Sequence, residues 1–484
     1  MPLPSNLEDV QREVIKYVEE FNLDPFPVIF ELCDFDQLYE IASYGGFPTR
    51  YPHWRFGMIY DHLSKGYKYG LQKIYELVIN HDPCYAYLLK SNDIVDQKLV
   101  MAHVYAHSDF FKNNALFQST NRKILEKMAN HSTKVRELSD RFGIDRVEGF
   151  IDVCLTIENL IDPYVTGNYE AYCNSEEKSR HPEATFRHPE AQPRHPEAQP
   201  KDLSQIIRTK NETIEKLPKE RDVVRFVIDN AELEDWEIEI LSMIREESYY
   251  FAPQTMTKIM NEGWASYWHS KIMTERALKN KEVIDYAEHH AGTLAIIPGQ
   301  INPYKLGLEL FRDIEERWDR GKFGKEFDEC GSYDERQKWN LRRGLGREKI
   351  FEVRKIYHDV SFIDTFLTED FCFKQKYFTY SYNRRSGRYE VIDRDWKKVK
   401  EKMLFGLTNL GRPIIYVIDG NFEGKKELLL SHAHIGVDLK IDEAKDALAA
   451  VHKIWKKPVH IVTEVSGQKK LLTFTGEEHR ERNI

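Results

Sequence analysis

Nowhere does the 484-residue sequence run to the roughly 18 consecutive apolar residues of a membrane-spanning helix, and its mean hydropathy is −0.59. No membrane span is expected. The first residues, Met1-Pro2-Leu3-Pro4-Ser5-Asn6-Leu7-Glu8-Asp9, lack the basic and apolar regions of a secretory signal, so the expectation is a cytoplasmic protein. Six cysteines, Cys33, Cys84, Cys154, Cys173, Cys330 and Cys372, form no C-x-x-C pair, which speaks against a zinc knuckle or a redox dithiol. An excess of positive charge is also missing: 70 Lys and Arg stand against 79 Asp and Glu, a net charge of −9, and no nucleic-acid partner is expected. There is no G-x-S-x-G elbow and no G-x-G-x-x-G fingerprint, and Gly420-Asn-Phe-Glu-Gly-Lys425 is one residue short of a phosphate-binding loop. The usual serine hydrolase, dinucleotide and nucleotide readings fall away.

What the sequence has in abundance is helical periodicity. Residues 1 to about 172 read as a succession of helices, as in Leu7 to Phe21, where Val10, Val14, Tyr17, Val18 and Phe21 recur at spacings of three and four. Tyr44 to Gly57 is too rich in Gly, Pro and aromatics for a regular element and too apolar for a solvated linker; an ordered loop against the core is expected. Arg-His-Pro-Glu-Ala occurs three times, from Arg180, Arg187 and Arg194. Each unit carries a helix-breaking proline and almost nothing to bury, which predicts a disordered insertion. Helical patterning resumes near Leu203 and includes Asp235 to Tyr249, Pro253 to Met273, Glu282 to Ala291 and Pro303 to Trp318.

From about Lys376 the pattern changes to strands at Tyr377 to Ile392 around a turn at Gly387, a helix from Asp395 to Leu407, strands at Pro413 to Ile418 and Lys426 to His432, a helix at Ile441 to Lys456, and strands at Pro458 to Val465 and Lys470 to Thr475. The fold class expected is mainly α: a large multi-helix domain, zincin-like at its core, with a smaller carboxy-terminal α+β domain. The division is 1–174 and 203–375 for the two parts of the helical domain, 175–202 for the insertion and 376–484 for the α+β domain.

Two helical stretches carry chemistry. In Asp96 to Asn114, His103 and His107 are four apart, so their imidazoles project from one face, one turn above the other, as two ligands of one metal ion do. The zinc peptidase form of this spacing, H-E-x-x-H, places its glutamate general base after the first histidine; here that residue is Val104. The second stretch is Met260-Asn-Glu-Gly-Trp-Ala-Ser-Tyr-Trp-His269. Its E-G-W-A-x-Y core looks like the segment that supplies the third, glutamate ligand in one group of helical metallopeptidases, and Glu262 would complete a His-His-Glu set with an open position for water. Asp109 and His269 are the candidate catalytic residues, as orienter or proton carrier. Zinc is the first choice of divalent metal, with manganese or iron as alternatives.

Adding Glu76 or Glu158 would suit a ferritin-like di-metal site, but its paired Glu-x-x-His pattern is absent. Core histidines and packing aromatics are the plain structural reading of both stretches. Of His289 and His290, about 100° apart on a helix, only one could join a shared site; His432 and His434 alternate along a strand, and Arg342 to Arg347 reads as a solvated basic loop.

Taken together, Tyr44-Gly-Gly-Phe-Pro-Thr-Arg-Tyr-Pro-His-Trp-Arg-Phe-Gly57, Ile79-Asn-His-Asp-Pro-Cys-Tyr-Ala-Tyr-Leu-Leu89, His103 to Asn114, Asn261 to His269, Asn302-Pro-Tyr-Lys-Leu-Gly307 and Lys349-Ile-Phe-Glu-Val-Arg354 resemble the SpoVR family, the stage V sporulation protein R group. The repeat insertion is the one departure, and it falls between these blocks. The resemblance implies a role in forming the spore cortex, a peptidoglycan layer, or in its regulation. In bacteria that do not sporulate it implies association with a PrkA-type serine protein kinase and a von Willebrand-type partner. Two readings stay open: a metal-dependent hydrolase lacking the usual general base, and a non-catalytic scaffold for such partners.

Overall fold

A computed structural model describes residues 3–68, 76–164, 220–296 and 300–484. The Arg-His-Pro-Glu-Ala repeats lie outside these residues. The protein is mainly helical with a sheet-containing carboxy-terminal region, and it folds as two compact units, Met1–Ser132 with Pro253–Leu410, and Thr133–Ala252 with Gly411–Ile484. No described helix is long and apolar enough to cross a membrane.

The first unit opens with α1 (Ser5–Glu20), whose Leu7, Val10, Val14 and Val18 form the buried stripe that the spacing predicts. Then follow β1 (Val28–Cys33), α2 (Phe35–Ser43), α3 (Trp54–Lys68), β2 (Glu76–Ile79), β3 (Cys84–Leu89) and α4 (Ile94–Asn113). The strands form a sheet of order β1-β3-β2, parallel between β1 and β3 and antiparallel between β3 and β2. This corrects the all-helical reading of residues 1–172. Val28-Ile-Phe-Glu-Leu-Cys33 and Cys84-Tyr-Ala-Tyr-Leu-Leu89 are short apolar runs, which periodicity alone does not separate from buried helix. Flanking Pro27 and Pro83 and their β-branched and aromatic residues are the strand signal. The Tyr44 to Gly57 stretch is an ordered loop as far as His53, burying Phe47 and Tyr51 beneath the Arg50 guanidinium, and only its last residues begin α3.

After α4 come α5 (Ile124–Phe142), α6 (Ile144–Ile157), α7 (Val223–Asn230), α8 (Asp235–Met256), α9 (Lys258–Ile272), α10 (Val283–Thr293) and α11 (Pro303–Arg320). The expected helix from Pro253 breaks at Thr257. Pro253 belongs to the last turn of α8, and the Asp359 carboxylate takes the free backbone N–H groups of Ile259 and Met260 at 2.8 and 2.9 Å to start α9. α4 and α9 are buried on nearly every side: Val100 to Phe111 and Ile259 to Ser270 are all buried. Helices buried all round sit at the centre of a core rather than on its surface, so these two form the axis of the unit. α9 in turn packs on α11 at a pair of glycines. A Cβ on Gly263 would lie 2.4 Å from the Gly307 Cα, and one on Gly307 would lie 2.1 Å from the Ile259 carbonyl oxygen. Backbone touches backbone there, as only glycine allows.

The unit closes with α12 (Gly346–Ile356), α13 (Asp359–Phe366), α14 (Glu369–Gln375), the hairpin β4 (Thr379–Asn383) and β5 (Arg388–Asp393), and α15 (Trp396–Leu407). The carboxy-terminal part of the second unit holds β6 (Ile415–Phe422), β7 (Glu427–His432), α16 (Ile441–Trp455), β8 (Val459–Val465), β9 (Gln468–Phe474) and β10 (His479–Asn483). These strands make one sheet of order β10-β9-β8-β7-β6, in which α16 is the crossover between the parallel pair β7 and β8. The strand β10, with its charged sequence His-Arg-Glu-Arg-Asn, carries no apolar alternation and escaped the sequence reading.

Candidate metal centre

His103 and His107 leave α4 on one face and meet Glu262 from α9, bridging more than 150 residues of chain. The three ligand atoms form a nearly equilateral triangle. His103 Nε2 and His107 Nε2 are 3.0 Å apart, and the Glu262 Oε2 atom is 3.6 and 3.5 Å from them. An ion about 2.1 Å from each of three tetrahedral ligands requires edges of about 3.4 Å. Among the described residues this is the one grouping of three such side chains that could hold an ion.

The surroundings fit the same use. The Nδ1 of His107 faces the Asn261 amide oxygen at 2.9 Å and therefore donates to it, leaving its Nε2 lone pair aimed into the triangle. His103 Nδ1 lies 2.8 Å from His269 Nδ1, and His269 Nε2 lies 3.2 Å from His290 Nδ1, so a row of imidazoles runs outward from the triangle. One tautomer pattern serves that row, each ring donating to the next, and it frees the Nε2 of His103 as a second lone pair. Glu262 Oε1 is held by the Lys258 ammonium at 2.5 Å, one helical turn back, whereas Oε2 is buried without a hydrogen-bond partner. A buried carboxylate oxygen facing two imidazole lone pairs is costly unless a proton or cation lies between them.

The electrostatics agree. Burial and the neighbouring His107 push the His103 pKa down to about 4, and burial with its flanking histidines holds His269 well below its usual value. Burial alone would raise the Glu262 pKa, but the facing imidazoles of His103 and His107 and the charge of Lys258 carry it well below the usual range. At neutral pH His103 is then a neutral imidazole and Glu262 a carboxylate, the forms in which these groups bind metal.

The two candidate catalytic residues part ways. His269 stands directly behind His103, whereas Asp109 is not brought to the triangle. It is wholly buried and shared among Arg354 Nη1 at 2.6 Å, the Trp264 indole N–H at 2.8 Å and the backbone N–H of Asp24 at 2.7 Å. Its two oxygens tie α4 to α9, to α12 and to the segment before β1. Glu158 belongs to the second unit, and His432 and His434, also there, bond Thr463 and Asp438. His289 and His290 diverge as their spacing requires, His289 pairing with Asp96 while His290 meets His269.

Three residues at the site were not assigned these places from sequence. Glu76 on β2, weighed only for a di-metal site, has its carboxyl pushed up to about 7 by burial and by the negative charges of Glu262 and Asp96, with His107 opposing. Asn261 orients His107, for which its position beside Glu262 was the only signal. Tyr304 on α11 lies with its ring 6.3 Å from that of His103 and within 23° of parallel to it.

Fold and site together define a mainly helical protein with a buried His-His-Glu cluster of metal-ligand geometry. The family model described as SpoVR like protein matches residues 3–412, and the chain belongs to the SpoVR family. YcgB of Escherichia coli (strain K12), described as an uncharacterized protein, is 29% identical over 469 residues, covering 92% of this chain and 89% of its own length. No solved structure matches the chain.

Proposed function

We propose that the protein is a metal-dependent hydrolase acting in spore cortex or peptidoglycan formation or its control, with one divalent ion, zinc first and manganese or iron next, held by His103, His107 and Glu262. The observation that supports this is the 3.0 to 3.6 Å triangle of ligand atoms, with Glu262 Oε2 otherwise unpartnered. A zincin-like arrangement of the two ligand helices belongs to the same proposal. A bound ion at such a site polarises a carbonyl and lowers the pKa of water. The chain's own residues supply the rest. Asn261 and His269 set the ring orientation of His107 and His103, and Lys258 steadies the free oxygen of Glu262. With Val104 wholly buried and unable to act as base, proton transfer falls to His269, which stands 2.8 Å behind His103. Asp109 is assigned a structural role.

Elemental analysis of untagged protein purified without added metal tests this, beside a His103→Ala/His107→Ala variant of matched folding. About one equivalent of a transition metal in the first and little in the second is expected. Metal absent from both, with none taken up on adding zinc, manganese or iron, overturns it. The second reading is a non-catalytic scaffold for a PrkA-type serine protein kinase and a von Willebrand-type protein, favoured by Val104 in the usual base position. Glu262→Gln separates the two: in a sporulation or wall-integrity assay it abolishes function for the hydrolase, and a scaffold tolerates it.

A further inference from the structure

The polar groups around the triangle are largely committed to one another. Asn261 serves His107, and His269 serves His103 and His290. Tyr304 differs in how it is held and in what it faces. Asn302 caps α11 through Lys305 N–H at 3.2 Å and Pro303 takes the first helical position, so Tyr304 lies in the opening turn of the helix. One turn later Gly307 presses against the backbone of Gly263, which brings this turn of α11 alongside the turn of α9 that carries Lys258 and Glu262. The ring of Tyr304 consequently lies 5.9 Å from the Lys258 ammonium and 6.3 Å from the His103 ring. Unlike the ligands, which are 5 to 6% exposed, Tyr304 is only partly buried and opens toward solvent.

The Tyr304 hydroxyl is a phenol and can donate a hydrogen bond at neutral pH. Lys258 brings ammonium protons to the same corner, one of them spent on Glu262. A phenol and an ammonium lying beside a carboxylate ligand can both donate to an oxygen that carries negative charge.

Resting on the metal reading above, we infer that Tyr304 is a catalytic residue of this site, whose hydroxyl donates a hydrogen bond to the carbonyl oxygen of an acyl substrate, an amide or peptide, beside His103, His107 and Glu262. Lys258 flanks the same oxygen.

The test uses full-length protein loaded with cobalt(II), whose visible spectrum reports ligand binding, and acetohydroxamate as the acyl-like probe. Tyr304→Phe keeps the ring and removes only the donor. The expected result is unchanged cobalt uptake and thermal midpoint, with acetohydroxamate bound roughly 10- to 100-fold more weakly than by the wild type. Binding within twofold of wild type overturns the inference, as does a wild type that takes cobalt but not the probe; either leaves the metal set standing. Loss of cobalt in Tyr304→Phe would make Tyr304 a positioning residue for Glu262 and overturn it too. A wild type that takes up no cobalt refutes the metal reading and this inference with it.

Discussion

Replacing Gly307 by alanine adds one methyl group to the contact between α9 and α11. That methyl would lie 2.1 Å from the Ile259 carbonyl oxygen, 2.6 Å from the Gly263 Cα and 3.0 Å from the Gly263 nitrogen. Ordinary carbon contacts begin at about 3.5 Å, so the helices must separate by roughly 1 Å. All three neighbours are backbone, and no change of rotamer relieves the clash. Overpacking of this kind costs about 1–3 kcal/mol, and a backbone-on-backbone clash in a fully buried crossing belongs at or above the upper end. The same separation draws Tyr304 away from Glu262 and His103, which links core packing to the site. Chemical denaturation followed by near-ultraviolet circular dichroism, which senses the buried Trp264 and Trp268, measures the first effect, and cobalt uptake with acetohydroxamate binding measures the second. Gly406→Ala is the control: nothing lies within 4 Å of its added Cβ, and on α15 it should be neutral or stabilising by up to about 1 kcal/mol. If Gly307→Ala unfolds within about 0.5 kcal/mol of wild type and binds metal and probe unchanged, the close crossing does not exist as described.

Arg354→Met leaves the Asp109 carboxyl without its cation at zero exposure. It should cost about 3–5 kcal/mol in denaturation, much of it recovered in Arg354→Met/Asp109→Leu. Asp359→Ala removes the acceptor that starts α9 and should lose about 2 kcal/mol, with Asp359→Asn intermediate, measured in the same way. In the second unit, burial and the nearby His434 hold the His432 pKa at about 4, below its usual 6.5, so the folded protein binds fewer protons than the unfolded chain. Stability should therefore fall as pH drops from about 6.5 toward 4, by about 3 kcal/mol from this group. A His432→Gln variant whose denaturation shows the full wild-type slope over that range would contradict the assignment.

The carboxy-terminal region was legible because its signals are local. Strand alternation, the turn at Gly387 and the apolar stripe of α16 put every element there but β10 within a few residues of its place. Helices α1, α10 and α11 were likewise readable from spacing. α9 was read within the helical patterning of Pro253 to Met273, whereas α4 was found through its histidines, since a helix buried all round shows no stripe. The β1-β3-β2 sheet was lost because short apolar runs carry no period of their own.

The site divides along the same line. That His103 and His107 share one face is a property of 3.6 residues per turn, and the sequence determines it without help from the rest of the chain. Whether Glu262 meets them depends on how α9 packs beside α4, which rests on Asp359 from 100 residues away, on the buried Arg354–Asp109 pair and on two glycines that let α11 close in. The same packing turned Asp109 from a candidate base into a structural anchor and brought Tyr304 beside His103. Periodicity is local and is written in neighbouring residues; a constellation of side chains from distant segments exists only once burial has chosen which faces touch.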